Sequence, residues 1–401
     1  ARQISAFVSE LCRHIRRMLL SEKFKSLAIQ NGVPLPTIEK DYVMGWILWA
    51  ISNDSWLGRN LVLKGGNCLR KIYFSDTRFS DDLDFSALHL DAEDGFRKRL
   101  RMICDTVTDA SGILFDHDRL TVKEKQTPDS ECKALDGRVY FRGMADDASV
   151  TMRIKFDVSD YEKIVLPTPR LPIIHPYDDS DLCQCLVLTY SLEEVLAEKL
   201  RSWIQRTRSR DLFDAVKIIQ SNAVPISKRQ LLNVFLQKTI FKGILNAGRD
   251  EMLLETKFAA IESNWLETIV CPAKALIVAA NAIALFRDFV GALFAPEFLS
   301  EIGLSIRPSH EYGYNIRSGI REAIVEAGRM RKVIRMRYDG KDRDIEPYSF
   351  RYRATKKGYG AEYFYGFDRT RGQTIKSFFL DRVQSATALP EQYVPRWVVE
   401  F

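Results

Sequence analysis

The chain has 401 residues, enough for two or three domains, because a single core rarely grows past roughly 250–300 residues. A hydrophobic share of 46% and a charged share of 28%, with no low-complexity tract, exclude disorder as the default state. The longest apolar runs, Tyr42–Ser52 and Ala275–Phe286, fall short of the roughly 20 residues of a membrane helix, and the seven cysteines lack zinc-site spacing. The expectation is a cytoplasmic protein with free thiols and no membrane association. The net charge of +6 is unevenly placed: residues 1–300 carry 40 basic and 40 acidic side chains, residues 301–401 carry 19 and 13. That asymmetry predicts a separate C-terminal module facing an anion, or simply a basic surface.

In chain order, residues 1–58 read as helical, with Ile4, Phe7, Val8, Leu11 and Ile15 at helical spacing. Leu61-Val62-Leu63 predicts a short buried strand ending at Gly65-Gly66; residues 67–73 resume a helical pattern and Phe79–Ser86 reads as a second strand. Residues 90–150 give mixed signals. Thr151–Ser159 is the clearest strand, alternating Met152, Ile154, Phe156 and Val158 against Thr151, Arg153, Lys155 and Asp157. Pro167, Pro169, Pro172 and Pro176 mark an extended connection, and Ser191-Leu-Glu-Glu194 is a capping box that opens a helix. The pattern then stays helical to about Phe294. Residues 297–318 predict a linker, and residues 319–401 one helix (Gly319–Met330) followed by short strands rich in Tyr, Phe and Arg.

The chemistry centres on Ser80-Asp81-Asp82-Leu83-Asp84-Phe85. On a strand Asp82 and Asp84 share one face about 6–7 Å apart, while Asp81 falls on the other. Such a pair is either a solvated turn or half of a site for a hard divalent cation, since Mg²⁺ takes one or two carboxylates plus phosphate oxygens. Gly65-Gly66 is either a plain tight turn or a place where backbone N–H groups approach a phosphate. Asp157, on the polar face of its strand, either completes a two-metal site or pairs with Lys155 or Arg153. Lys199, on the apolar stripe of the helix from Ser191, either snorkels or reaches a triphosphate. Arg201, Arg206, Arg208 and Arg210 follow as cations for a polyanion, and Asp211 opens the next helix.

The segments KGGNCLRK, RFSDDLDF, IKFDVS, LAEKLRSWIQRTRSRDLFD and PTIEKDYVMGWIL together resemble the AbiEii/AbiGii toxin nucleotidyltransferases, of the DNA polymerase β-like superfamily and type IV toxin–antitoxin systems. The resemblance covers about residues 36–296. It implies an α+β fold with a mixed sheet. The nucleotide would lie at Lys64, Gly65, Gly66, Asn67, Arg78 and Lys199. Asp82, Asp84 and Asp157 would bind Mg²⁺ or Mn²⁺, with Lys199 and Asp211 as further catalytic residues. Asn67 stands where the superfamily often has Ser or Thr. The implied substrates are an NTP and an RNA, tRNA above all, with an antitoxin protein as partner.

The segments MRYDGKDRDIEPYSFRYR, GAEYFYGFD and KSFFLDRVQSA are similar to a WYL domain, a small Sm-like β-barrel, although the name-giving triplet is Tyr363-Phe364-Tyr365 here. Arginines among aromatics, Arg343 and Arg382 included, could hold a single strand or be solvated over an aromatic core. The expected organisation is a nucleotidyltransferase domain over 1–190, a helical domain over 191–296 completing its cleft, the linker and the WYL-like domain over 319–401. The expected function is transfer of NMP to tRNA, blocking translation in toxin–antitoxin or phage-defence settings. The alternatives are nucleotidylation of a protein hydroxyl, or a ligand- or nucleic-acid-sensing regulator.

Overall fold

The computed structural model describes residues 20–125, 133–145, 150–221, 226–244, 246–295, 297–298, 320–354 and 360–401. The first helical turns expected before residue 20, and all of the expected linker but residues 297–298, lie outside them. Two compact units form: residues 1–195 with 266–277, and residues 196–265 with 278–401.

The first unit is built on helix α1 (Leu35–Asn53), strands β1 (Leu61–Lys64) and β2 (Asp82–Ala87), helix α2 (Glu93–Ser111), and strands β3 (Thr121–Lys125), β4 (Ala134–Arg142), β5 (Thr151–Ser159), β6 (Arg170–Pro172) and β7 (Leu186–Leu188). Its main sheet has the order β1-β2-β5-β4-β3. The β2–β5 pair is parallel and the others antiparallel, so the sheet is mixed, as expected. β5 has the predicted bounds and the predicted alternation. Its apolar residues are buried on the helix side, where Gly137 of β4 lets Leu100 and Phe96 of α2 approach the backbone. Helix α2 went unread in the sequence because its apolar positions, Phe96, Leu100, Ile103, Cys104 and Val107, are set among many charges.

The second strand begins at Asp82, not Phe79. The preceding loop is tied elsewhere. Arg70 donates to the carbonyls of Ser75 (3.1 Å) and Thr77 (3.0 Å), its guanidinium lies 3.6 Å from the Phe79 ring centre, and the Phe79 N–H bonds the Val270 carbonyl.

Arg70 belongs to a buried ion cluster centred on Asp41 of α1. Arg70 Nε donates to Asp41 Oδ1 at 2.8 Å; Lys71 Nζ and Tyr177 Oη each donate to Oδ2 at 2.7 Å. Burial works against the carboxylate charge, yet Lys71 and Arg70 hold its pKa well below the ordinary range. The cluster joins α1 to the turn after Gly65-Gly66. Five cysteines are free thiols among the described residues.

In the second unit, helix α3 (Leu192–Arg206) continues from the first and is followed by α4 (Ser209–Gln220), α5 (Lys228–Phe241), strand β8 (Asn246–Ala247), α6 (Glu255–Glu262) and α7 (Ala279–Leu293). At the start of α3, Ser191 Oγ accepts the Glu194 N–H at 3.2 Å. The Glu194 carboxylate accepts the N–H groups of Val165 and Leu166. By length and composition Ala273–Leu293 could cross a membrane. Its α-helix starts only at Ala279, and 15 residues span about 22 Å, less than a bilayer core.

Helix α8 (Ile320–Arg329) and strands β9 (Lys332–Tyr338), β10 (Lys341–Ala354), β11 (Gly360–Asp368), β12 (Thr374–Phe379) and β13 (Val383–Gln392) complete the unit. Ile324 and Ala327 pack with Ile334, Met336, Ile345, Phe364 and Phe378. The antiparallel order is β13-β9-β10-β11-β12-β8, and no ladder closes it into a barrel among the described residues. The edge of β12 is taken by β8, at Ile375–Ala247 and Lys376–Asn246.

Replacing Asp41 with Asn would leave Arg70 and Lys71 buried with no compensating charge. The expected cost is about 3–5 kcal/mol, read as a lower midpoint in urea denaturation.

Candidate active site

Strand register assembles the site in the first unit. β1 lies on one side of β2, with Lys64 opposite Asp84. β5 lies on the other, with Lys155 opposite Asp82 and Asp157 opposite Asp84. β4 follows, with Asp136 opposite Asp157. Cross-strand partners point to one face, so Asp84, Asp157 and Asp136 form a row, with strands about 4.8 Å apart, and Asp82 stands beside it. Asp81 precedes the strand, is exposed, and pairs with Lys40 at 3.1 Å.

Gly65 adopts φ +73°, where a side chain is strained, and a Cβ there would stand 2.5 Å from Asp84 Oδ2. The Gly-Gly turn is therefore packed directly on the second acid of the pair. A Cβ at Gly66 would meet Arg78 Nη2 at 2.7 Å and Ser80 Oγ at 2.9 Å, so the buried Arg78 guanidinium lies against the same turn.

Asn67 is placed differently from the expectation of a phosphate ligand. It is fully buried, and its Nδ2 donates to the Asp82 carbonyl at 2.6 Å. Its side chain fixes the start of β2 from behind. Lys64 also has another partner: it pairs with Glu162, which accepts from Ser86 Oγ at 2.7 Å.

The charges are balanced by lysines. Asp157 Oδ2 accepts from Lys125 at 2.7 Å and Lys155 at 3.3 Å. Burial would raise the Asp157 pKa, but the Lys125 hydrogen bond and both ammonium charges lower it below the ordinary carboxylate value. Burial disfavours the Lys155 charge, yet Asp157 and Asp82 raise its pKa above that of an ordinary lysine. Among the described residues no three His, Cys, Asp or Glu side chains converge closely enough to hold a metal. Asp82 and Asp84 are hard oxygen donors on one face, which suits Mg²⁺ with one or two carboxylates; Asp157 is engaged by ammonium groups instead.

In the second unit Lys199 and Asp211 do come together, in the interior. Lys199 Nζ lies 3.1 Å from Asp211 Oδ1 and 2.7 Å from Asp214 Oδ2, with the lysine side chain only 7% exposed. Arg206 donates to both oxygens of Asp211, at 2.8 and 3.0 Å. This cluster joins α3 to α4, and in it Lys199, expected at the triphosphate, lies against two buried carboxylates. Of the arginines expected to meet nucleic acid, Arg201 is buried beside Glu198, and Arg343 donates to the buried Asp368 at 2.7 Å. Arg206, Arg208 and Arg210 are exposed, and Arg382 is exposed near Asp339 at 3.7 Å. Asp136, Lys125, Asp41 and Asp214 were missed in the sequence; the alternation of β4 could have revealed Asp136.

The mixed sheet presents an Asp-x-Asp pair against a Gly-Gly turn. Residues 46–275 match the family described as "Nucleotidyl transferase AbiEii toxin, Type IV TA system", and the chain belongs to that family. The family assigns it nucleotidyl transfer from an NTP in a toxin–antitoxin setting. Similar solved structures include the nucleotidyltransferase toxin MenT4 from Mycobacterium tuberculosis H37Rv (18% identity, TM-score 0.44, covering 68% of this chain and 89% of that one). JHP933 from Helicobacter pylori has 16% identity and a TM-score of 0.40, covering 64% and 91% of the two chains. A putative nucleotidyltransferase from H. pylori has 14% identity and a TM-score of 0.38, covering 69% and 100%. No curated protein matches the sequence.

Gly65→Ala should cost about 1–2 kcal/mol from the left-handed backbone alone, and displace Asp84 besides, read as a lower denaturation midpoint with weakened NTP binding. Lys199→Met should cost about 3–5 kcal/mol by removing the ammonium group that the buried Asp211 and Asp214 share. Burial opposes the Asp211 charge, but Lys199 and Arg206 depress its pKa below the ordinary 3.8. Its stabilisation is therefore present above that pH and lost as pH falls below it. A urea series from pH 7 to 3 should show a shallower acid limb in Asp211→Asn.

Proposed function

We propose that the chain transfers a nucleoside monophosphate from an NTP to an RNA hydroxyl, with tRNA as the acceptor, and so blocks translation. The acceptor oxygen attacks the α-phosphorus, a new P–O bond forms, the bond to the bridging oxygen of the β-phosphate breaks, and pyrophosphate leaves. The packing of Asp84 on the Gly65 backbone carries the reading, because it brings an acid pair and a Gly-Gly turn to one point.

In this reading Asp82 and Asp84 hold Mg²⁺, with Mn²⁺ as a substitute; when bound, the ion neutralises triphosphate charge and polarises the reacting phosphoryl group. The backbone of Gly65-Gly66 and the Arg78 guanidinium hold phosphate oxygens. Asp157, released from Lys125, accepts the proton of the attacking hydroxyl. The exposed Arg206, Arg208, Arg210 and Arg382 add positive charge for RNA. An antitoxin protein restrains the activity in the cytoplasm, where NTPs and tRNA are found. Residues 319–401 serve as a WYL-like module, of Sm-like kinship, that recruits or senses a ligand.

The test is incubation with α-phosphate-labelled NTPs, Mg²⁺ and extracts of total RNA and protein. Label is expected in the tRNA band, falling about 100-fold or more in Asp84→Ala, with a thermal melt confirming that the variant is folded. Label in protein alone identifies a protein hydroxyl as the acceptor. Absence of label with every NTP would sink the transferase reading.

A further inference from the structure

The sheet face that carries the acids does not end with them. Along β4 and β5 the polar side continues as Arg138 opposite Lys155, Tyr140 opposite Arg153, and Arg142 opposite Thr151. On β3, Lys123 stands opposite Asp136 and Thr121 opposite Arg138. The face of β3–β5 thus bears six cations (Lys123, Lys125, Arg138, Arg142, Arg153, Lys155) against two acids, Asp136 and Asp157. Lys125 and Lys155 are occupied by those acids, and Arg138 donates to Asp136 at 2.9 Å. The surplus is Lys123, Arg142 and Arg153, all exposed. The exposed Arg119 lies with its guanidinium 4.6 Å from the Tyr140 ring centre.

The geometry points to this face as the track for the acceptor strand: single-stranded RNA whose terminal hydroxyl reaches the acid row and whose backbone runs outward over the cations. Three features favour that occupant. Successive rows rise by about 7 Å along the strands, a step that an extended nucleotide backbone can follow. The charge is graded, acidic where phosphoryl transfer would occur and basic beyond it, which complements a polyanion lying across the face. Tyr140 offers a ring in the middle of the track, and base stacking on an aromatic is tolerant of sequence. The inference rests on the RNA-acceptor reading above and goes beyond it by assigning the acceptor to the strand face of the first unit, where no residue was read as an RNA contact from sequence.

The experiment measures binding of a 5′-labelled, 3′-hydroxyl single-stranded RNA oligonucleotide to the full chain by fluorescence anisotropy across a NaCl series, with NTP binding measured in parallel. Wild-type affinity should fall with salt at a slope of about −0.7 per neutralised phosphate. Arg142→Glu/Arg153→Glu should weaken RNA binding at least about tenfold and make the slope shallower by about 1.4. Tyr140→Ala should lower the affinity roughly tenfold with the slope unchanged, since stacking releases no counterion. Neither change should move NTP affinity more than about twofold, a split that general loss of structure would not give. The track is overturned if the double reversal leaves both RNA affinity and salt slope at wild-type values. A wild-type chain that binds no RNA and labels only protein overturns the RNA reading itself, and the track falls with it.

Discussion

Four carboxylates, Asp82, Asp84, Asp157 and Asp136, face the same way from three neighbouring strands, and their mutual repulsion is the constraint around which the first unit is arranged. In the sheet that repulsion is met on one flank by Lys125 and Lys155, which bind Asp157. On the other flank Asp84 lies against the Gly65 backbone, an approach open only to a residue without a Cβ. The two flanks differ in chemistry. Ammonium groups balance the third acid, whereas the second acid of the Asp82–Asp84 pair is packed on the Gly-Gly backbone.

Positions behind the sheet matter as much as those in front. Asn67 anchors the Asp82 carbonyl, and Arg70 ties the loop before β2 through two carbonyls while sharing Asp41 with Lys71 and Tyr177. These buried polar groups act on the site by fixing where β2 starts, because a shift of one residue would turn both acids to the opposite face of the sheet. The same logic governs the second unit, where Lys199 and Arg206 clamp Asp211 and Asp214 between α3 and α4.

Much of the site was legible in the sequence. Alternation placed Asp82, Asp84 and Asp157 on polar strand faces, and the Gly-Gly pair after a short apolar run marked the turn. The roles of long polar side chains were less legible. Lys199, Arg201, Arg343 and Asn67 all read as ligand-facing and are all committed to internal partners. A flexible cation or amide carries no periodic signal that says which neighbour it will reach. Helix α2 and strands β3 and β4 were hidden by dense charge on their outer faces, and with them Asp136 and the basic continuation of the sheet.

The sequence alone pointed to the class of chemistry through the motifs that resemble the AbiEii/AbiGii toxins, whereas the Asp-x-Asp pair and the Gly-Gly turn by themselves left a solvated turn open. It also determined the alternation that divides buried from polar faces in β5 and the charge surplus of the last quarter of the chain. Only the tertiary structure decided register: that Asp157 stands opposite Asp84, that Asp136 extends the row, and that lysines from β3 and β5 neutralise it. The reason is physical. Periodicity is set by each residue's own backbone geometry, whereas pairing between strands is chosen by contacts tens of residues apart, so it exists only once the sheet has formed.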